Sequence, residues 1–277
     1  MAGRLKAALV ALLGNFLPLV SPAAVGLVVL RQGLTEGGLV LLWAVLPLVI
    51  LVSAGNMSGA MVWASIFSVL VVLIGASTLK QTRSWISTLK VMLGVSVLSG
   101  LVMKLLLAAQ VSAMRETLNE MLRQLQQQNN ALIFEPSDLF IAGLLAWVIA
   151  LTAVAALLLA RWWQSLLYNP GGFSVEFHAL RFDKLSASVL FAALMGCYLL
   201  GQEYVTWGNL FGLPLLLSGV ALVHHSIAFA QLGTRWLVVF YMGLVLLLGP
   251  LSSVLIGLGF LDSVMDFRSR LAARRSS

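Results

Sequence analysis

Lys104 and the adjacent pair His224 and His225 sit inside otherwise apolar runs, and Glu203 marks the end of another. Such groups are costly inside hydrocarbon and are retained there for binding, ion pairing or proton handling. Lys104 lies six residues, about 9 Å of helix, from the end of its run. It can snorkel to the interface, bind an anionic group or pair with Glu203. Neighbouring helical residues point about 100° apart, so the two imidazoles cannot converge unaided on one metal ion. At most one faces a bundle interior, as a hydrogen-bonded structural histidine or as a ligand or proton-handling group. Glu203, in a tight loop with Tyr204 and ahead of Trp207, either caps an outward-facing pocket or belongs to an interfacial aromatic belt. Asp262 and Asp266 stand at i and i+4 and share a helix face, with Arg270 four residues further on. That spacing predicts an Asp266–Arg270 ion pair at the membrane edge. A two-carboxylate metal site has no third ligand nearby in sequence.

The stretch LLYNPGGFSVEFHALRFDK, residues 166–184, is the most polar and aromatic segment in the second half of the chain. Asn169-Pro170-Gly171-Gly172 dictates a turn, because proline fixes one φ and glycine permits positive φ. The apolar spacing from Val175 to Phe182 allows a short interfacial helix. Tyr168 through Phe173 then form either a lipid-surface loop with aromatic anchors or a cytoplasmic docking surface. Glu176 and His178 have no nucleophile or oxyanion donor beside them. No phosphate-cradling G-x-x-x-x-G-K-[ST] motif, HExxH or paired-cysteine motif occurs in the sequence. The expectation is a non-enzymatic protein without a cofactor, a metal or an ATPase of its own.

The elements that position these residues follow from composition. Of 277 residues, 60% are hydrophobic and only 10% charged, with a mean hydropathy of +1.00. Soluble domains carry about 25% charged residues, and apolar runs of about 20 residues cross roughly 30 Å of hydrocarbon. The chain therefore reads as an all-α, polytopic membrane bundle forming one transmembrane domain. The runs are continuous rather than alternating, which excludes a barrel. The net charge of +7 comes from basic residues between runs and near the C-terminus. That is a signal of orientation and lipid contact, not of nucleic-acid binding. Cys197 has no cysteine to pair with and reads as a small buried hydrophobe. The N-terminal stretch imitates a signal peptide, but a retained first helix is expected.

The apolar runs cover 7–30, 37–53, 57–79, 85–110, 139–160, 185–202, 208–231 and 236–265. Eight simple spans divide the loop cations almost evenly between the two sides. If the first and last runs instead double back near Pro22 and Pro250, nearly all loop cations share one side with both termini. Only Arg115 and Arg123 remain opposite, among Glu116, Glu120, Glu135 and Asp138. Six full spans plus a proline-broken helical hairpin at each end is the preferred map, with eight simple spans as the alternative. Residues 111–137 form an extracytoplasmic excursion. Met114, Leu118, Met121 and Leu125 give it an apolar stripe that lies on the bilayer, on the bundle or in a dimer seam. Ala142, Ala146 and Ala150 offer a small-residue face for close helix approach. Gly212 and Pro214 are expected to bend their helix and open a small cavity.

The stretches LVVLRQGLTEGGLVLLWAVLP (28–48), WWQSLLYNPGGF (162–173) and GLGFLDSVMDFRSRL (257–271) resemble the YybS-like family of bacterial integral membrane proteins. That family is distantly similar to the S-components of energy-coupling-factor transporters and to MreD. The resemblance implies a six-helix, S-component-like bundle in the bacterial inner membrane that captures a small molecule from outside. S-components dock on a coupling subunit partly through an Ala-x-x-x-Ala face, whose spacing Ala7 and Ala11 share. The leading expectation is a solute-binding or transport component with Lys104, Glu203 and one of His224 and His225 lining its pocket. The alternative is a membrane scaffold that recruits cytoplasmic or cell-envelope partners through 162–184. The oligomeric state stays open.

Overall fold

The computed structural model describes residues 7, 9–12, 14, 19–53, 58–129 and 134–269. Eleven helices are used below, and no strand occurs among the described residues. They are α1 (Val20–Gln32), α2 (Leu34–Ser53), α3 (Gly59–Thr82), α4 (Trp85–Leu106), α5 (Ala108–Asn129), α6 (Asp138–Tyr168), α7 (Gly172–His178), α8 (Lys184–Leu200), α9 (Val205–Phe229), α10 (Thr234–Leu246) and α11 (Leu248–Met265). A 3-10 turn, Gln202–Tyr204, leads into α9. The protein is an all-α, multi-pass helical bundle. Among the described residues six helices are long and apolar enough to cross a membrane: α2, α3, α4, α6, the Gln202–Phe229 helix and α11. The sixth differs from expectation. Run 185–202 folds into the 17-residue α8, whereas the last apolar run supplies the 18-residue α11.

The chain gathers into two compact units, Met1–Tyr168 with Cys197–Leu210, and Asn169–Gly196 with Phe211–Ser277. In the first unit α6 is central. Ile141, Ala142, Ala146, Ile149, Ala153, Leu157 and Ala160 recur at helical spacing and are fully buried. Lipid gives packed helices no hydrophobic advantage over separated ones, so close approach of small residues holds them together. A methyl on Gly26 of α1 would lie 3.0 Å from Val72 of α3 and 3.2 Å from Ala160 of α6. One on Gly100 of α4 would lie 2.7 Å from Ala146. The Ala142–Ala150 stripe is thus a packing face.

Gly33, at φ 106°, reverses the chain between α1 and α2, and Arg83 and Ser84 do so between α3 and α4. Lys80 donates to the Arg31 carbonyl (3.1 Å), and the Arg31 guanidinium lies 4.3 Å above the Tyr168 ring. Arg31, Lys80, Arg83 and Tyr168 therefore mark one end of this unit. At the other end α5 follows the Leu107 bend, and Arg115 reaches Asp138 at 3.4 Å. There Trp207 Nε1 donates to the Leu139 carbonyl and Thr206 Oγ1 to that of Phe140, both at 3.0 Å. The excursion is helical from Ala108 onward. Met114 and Leu118 are half-buried, whereas Met121 and Leu125 are exposed.

Both expected chain breaks exist, but they precede the prolines. Leu19 is left-handed (φ 71°), and Leu247 leaves helical geometry (φ −120°, ψ 42°). Pro22 and Pro250 sit inside the first turns of α1 and α11, where no intrahelical N–H is lost. α10 and α11 meet at a corner, where a methyl on Gly243 would lie 3.9 Å from Leu251. Both termini lie outside the described residues. Ala11 is fully buried. Ala7, half-exposed, does not share that burial. Gly212 opens no cavity, since a methyl there would meet Ile256 at 3.1 Å. Cys197 is half-exposed rather than buried.

Candidate binding groove at residues 169–183

Gly171 adopts φ 84°, and the Gly172 N–H closes the turn on the Asn169 carbonyl at 3.0 Å. The Asn169 side chain folds over Gly172 so closely that a methyl there would lie 2.2 Å from it. α7 starts directly at this turn, three residues earlier than the apolar spacing alone suggested. It ends at His178, after which Leu180 and Phe182 are buried. Phe173 and Phe177 pack with ring centroids 5.8 Å apart. Asp183 caps α8, accepting from Ser186 N (2.9 Å) and Ser186 Oγ (2.6 Å).

The carboxylates at the end of α11 hold this segment in place. α11 stops at Met265, and Asp266 turns left-handed (φ 52°). Asp262 and Asp266 consequently leave the common face that their spacing implied. Asp262 is fully buried and accepts from Phe267 N (3.2 Å) and Arg268 Nε (2.9 Å). Arg268 also donates from one terminal nitrogen to the His178 carbonyl and from the other to the Leu180 carbonyl (2.8 Å). A buried carboxylate left without such a partner would be strongly destabilising. Asp266 pairs with Arg181 and accepts from Ser269 N (3.3 Å). Two pairs are formed here, Asp262–Arg268 and Asp266–Arg181; Arg270, and with it the expected Asp266–Arg270 pair, lies outside the described residues. Partial desolvation alone would raise the Asp266 carboxyl, but the Ser269 amide and the Arg181 guanidinium outweigh it and hold it below its ordinary value.

Three histidines gather around this clamp. His224 shares a 2.8 Å hydrogen bond with the Tyr241 hydroxyl. Its ring lies 5.3 Å from Phe177, edge to face, and 6.0 Å from His178. His225 stacks on Phe229. Burial pushes the His178 imidazole below its ordinary value, and the Arg268 charge adds to this. An open groove of about 600 Å³ runs between these groups. Val175, His178 and Ala179 form one wall, and Asp266, Arg268 and Ser269 form another. Arg181 and His225 complete it.

The residues expected to share one pocket separate. Glu203 is exposed in the turn before α9, and Lys104 is half-buried in the last turn of α4. No ion pair joins them among the described residues. His224 lies 19 residues beyond the start of α9 at Val205, about 28 Å along the helix. It cannot line a cavity with Glu203. A second hollow, of about 550 Å³, follows the polar face of α5 from Glu116 to Gln127 and includes neither Lys104 nor Glu203. Among the docking candidates, Tyr168 is engaged by Arg31 and Asn169 covers Gly172, while Phe173 packs on Phe177. Among the described residues no three His, Cys, Asp or Glu side chains converge as metal ligands.

Sequence reasoning missed Arg268, Arg181 and Tyr241. Arg268 stands six residues beyond Asp262 in LDSVMDFR, a spacing that pairs only where a helix ends. No family model, curated protein or solved structure matches the chain.

Proposed function

We propose that this chain is a non-enzymatic protein of the bacterial inner membrane that binds a small solute in the groove beside residues 169–183 and serves as a binding or transport component. The observation that carries this reading is the groove itself. Its volume of about 600 Å³ falls within the range of small-molecule sites, and its walls are fixed by a buried ion pair. The cluster of Arg31, Lys80 and Arg83 at one end of the first unit supports a cytoplasmic face at that end. The resemblance to YybS-like proteins and S-components is compatible with solute capture and contributes no ligand. The test is native mass spectrometry of the full chain purified in mild detergent. A small-molecule adduct on the wild type that disappears in Ala179→Trp, which fills the groove, supports the reading. No adduct, or one that persists in Ala179→Trp, overturns it.

A second reading, a scaffold for cytoplasmic or cell-envelope partners, is favoured by Val175, which α7 leaves 71% exposed. A photo-crosslinker at Val175 in cells would then yield a discrete protein adduct. Lipid adducts alone would remove this reading.

A further inference from the structure

The charges around the groove balance until its histidines change state. Arg181 faces Asp266 and Arg268 faces Asp262, so these two cations and two carboxylates sum to zero. His178 and His225 stand in the same walls, and neither imidazole makes a hydrogen bond among the described residues. His224, the third, is committed to Tyr241. Among the described residues that line the groove, the uncompensated charge is therefore the one that His178 and His225 acquire.

Resting on the groove reading above, we propose that the site takes a phosphate-type oxyanion, from a free phosphate ester or a lipid headgroup, and takes it up together with protons on His178 and His225. The chemistry fits the walls. Two imidazolium N–H groups and the outer N–H groups of Arg181 supply donors to an oxyanion, whereas the Ser269 hydroxyl is committed to the Asp266 carbonyl at 3.0 Å. Both carboxylates are already held by guanidinium groups. His178 faces Arg268 and His224; His225 faces Arg268 and His178, with Asp262 the only opposing charge. A cation on His178 is opposed by burial and by the Arg268 charge, and a bound anion offsets both. Burial, with Arg268 adding to it, disfavours the charged form of His178, so anion binding and protonation reinforce each other. A pKa rise of one unit on binding corresponds to a tenfold gain in affinity.

The experiment is equilibrium binding of labelled inorganic sulfate to the full chain in detergent at about pH 8 and about pH 6. Sulfate keeps its charge over this interval, so any change belongs to the protein. About tenfold tighter binding at the lower pH is expected. His178→Gln with His225→Gln should flatten the pH dependence, while Arg115→Gln, on α5 of the other unit, should leave it intact. Nanodiscs of phosphatidylcholine with and without phosphatidylglycerol separate the sources. Phosphatidylglycerol that competes with sulfate, and does so less in the double histidine variant, identifies a headgroup; failure to compete identifies a free oxyanion. Equal sulfate affinity at both pH values, or full pH dependence in the double variant, overturns the proposal. Loss of the co-purifying adduct in Ala179→Trp, without pH-dependent sulfate binding, would leave the groove reading standing and remove only the oxyanion.

Discussion

The two units of this protein are held by different forces. In the first, α1, α3, α4 and α6 approach through Gly26, Gly100, Ala146 and Ala160, with methyl-scale clearances. In the second, a fully buried carboxylate and the guanidinium of Arg268 pin a loop by its own carbonyl groups. Small-residue packing fixes helices without exposing any chemistry. An ion pair that satisfies backbone acceptors fixes a loop and leaves polar side chains facing outward. That contrast explains why the candidate groove belongs to the second unit.

The largest effect expected is on the clamp. Asp262→Ala leaves a largely buried Arg268 without its partner and should cost about 3–5 kcal/mol, read as the unfolding midpoint in detergent. Asp262→Leu with Arg268→Met should restore most of that stability but leave 178–180 open to proteolysis. Recovery of both would mean that the clamp does not hold the loop. In the first unit, Gly100→Leu forces side-chain atoms against Ala146 and the Ala142 carbonyl, at about 1–3 kcal/mol. Gly38→Ala, which meets nothing within 4 Å, should instead stabilise by about 0.5–1 kcal/mol. Similar losses at both glycines would refute close packing as the force at work there.

Smaller changes sharpen the picture. Tyr241→Phe removes one hydrogen bond to His224 and should cost about 0.6 kcal/mol, a typical value for such bonds in membrane bundles. The depressed pKa of His178 makes a pH prediction. The unfolded chain binds a proton more readily, so stability is full above the ordinary 6.5 and falls as pH drops through the folded value. The unfolding midpoint of the wild type should therefore decline on acidification more than that of His178→Gln. Arg123→Gln, at an exposed pair with Glu135, should change stability by less than about 0.5 kcal/mol.

Much of the architecture is legible in the residues, because hydrocarbon length and apolar composition leave few alternatives. The runs, the two chain breaks, the 108–129 helix and the Asn-Pro-Gly-Gly turn all follow from local rules. The site does not. The i, i+4 spacing of Asp262, Asp266 and Arg270 assumes that the helix continues, and the left-handed Asp266 ends it. The pairing of Lys104 and Glu203 with the histidines rested on apolar context alone, although α9 spans the distance between Glu203 and His224. Partners such as Arg268 and the carbonyls of His178 and Leu180 are 90 and 88 positions apart, and no local pattern links them.

That separation has a consequence for synthesis. The ribosome makes His178 and Leu180 well before Arg268, and four further helices, α8, α9, α10 and α11, must be laid down first. During that interval the carbonyl groups that Arg268 will seize face water or headgroups. The groove is thus the last part of the molecule to be completed, and a nascent chain released before Arg268 would insert its long helices yet have no finished site.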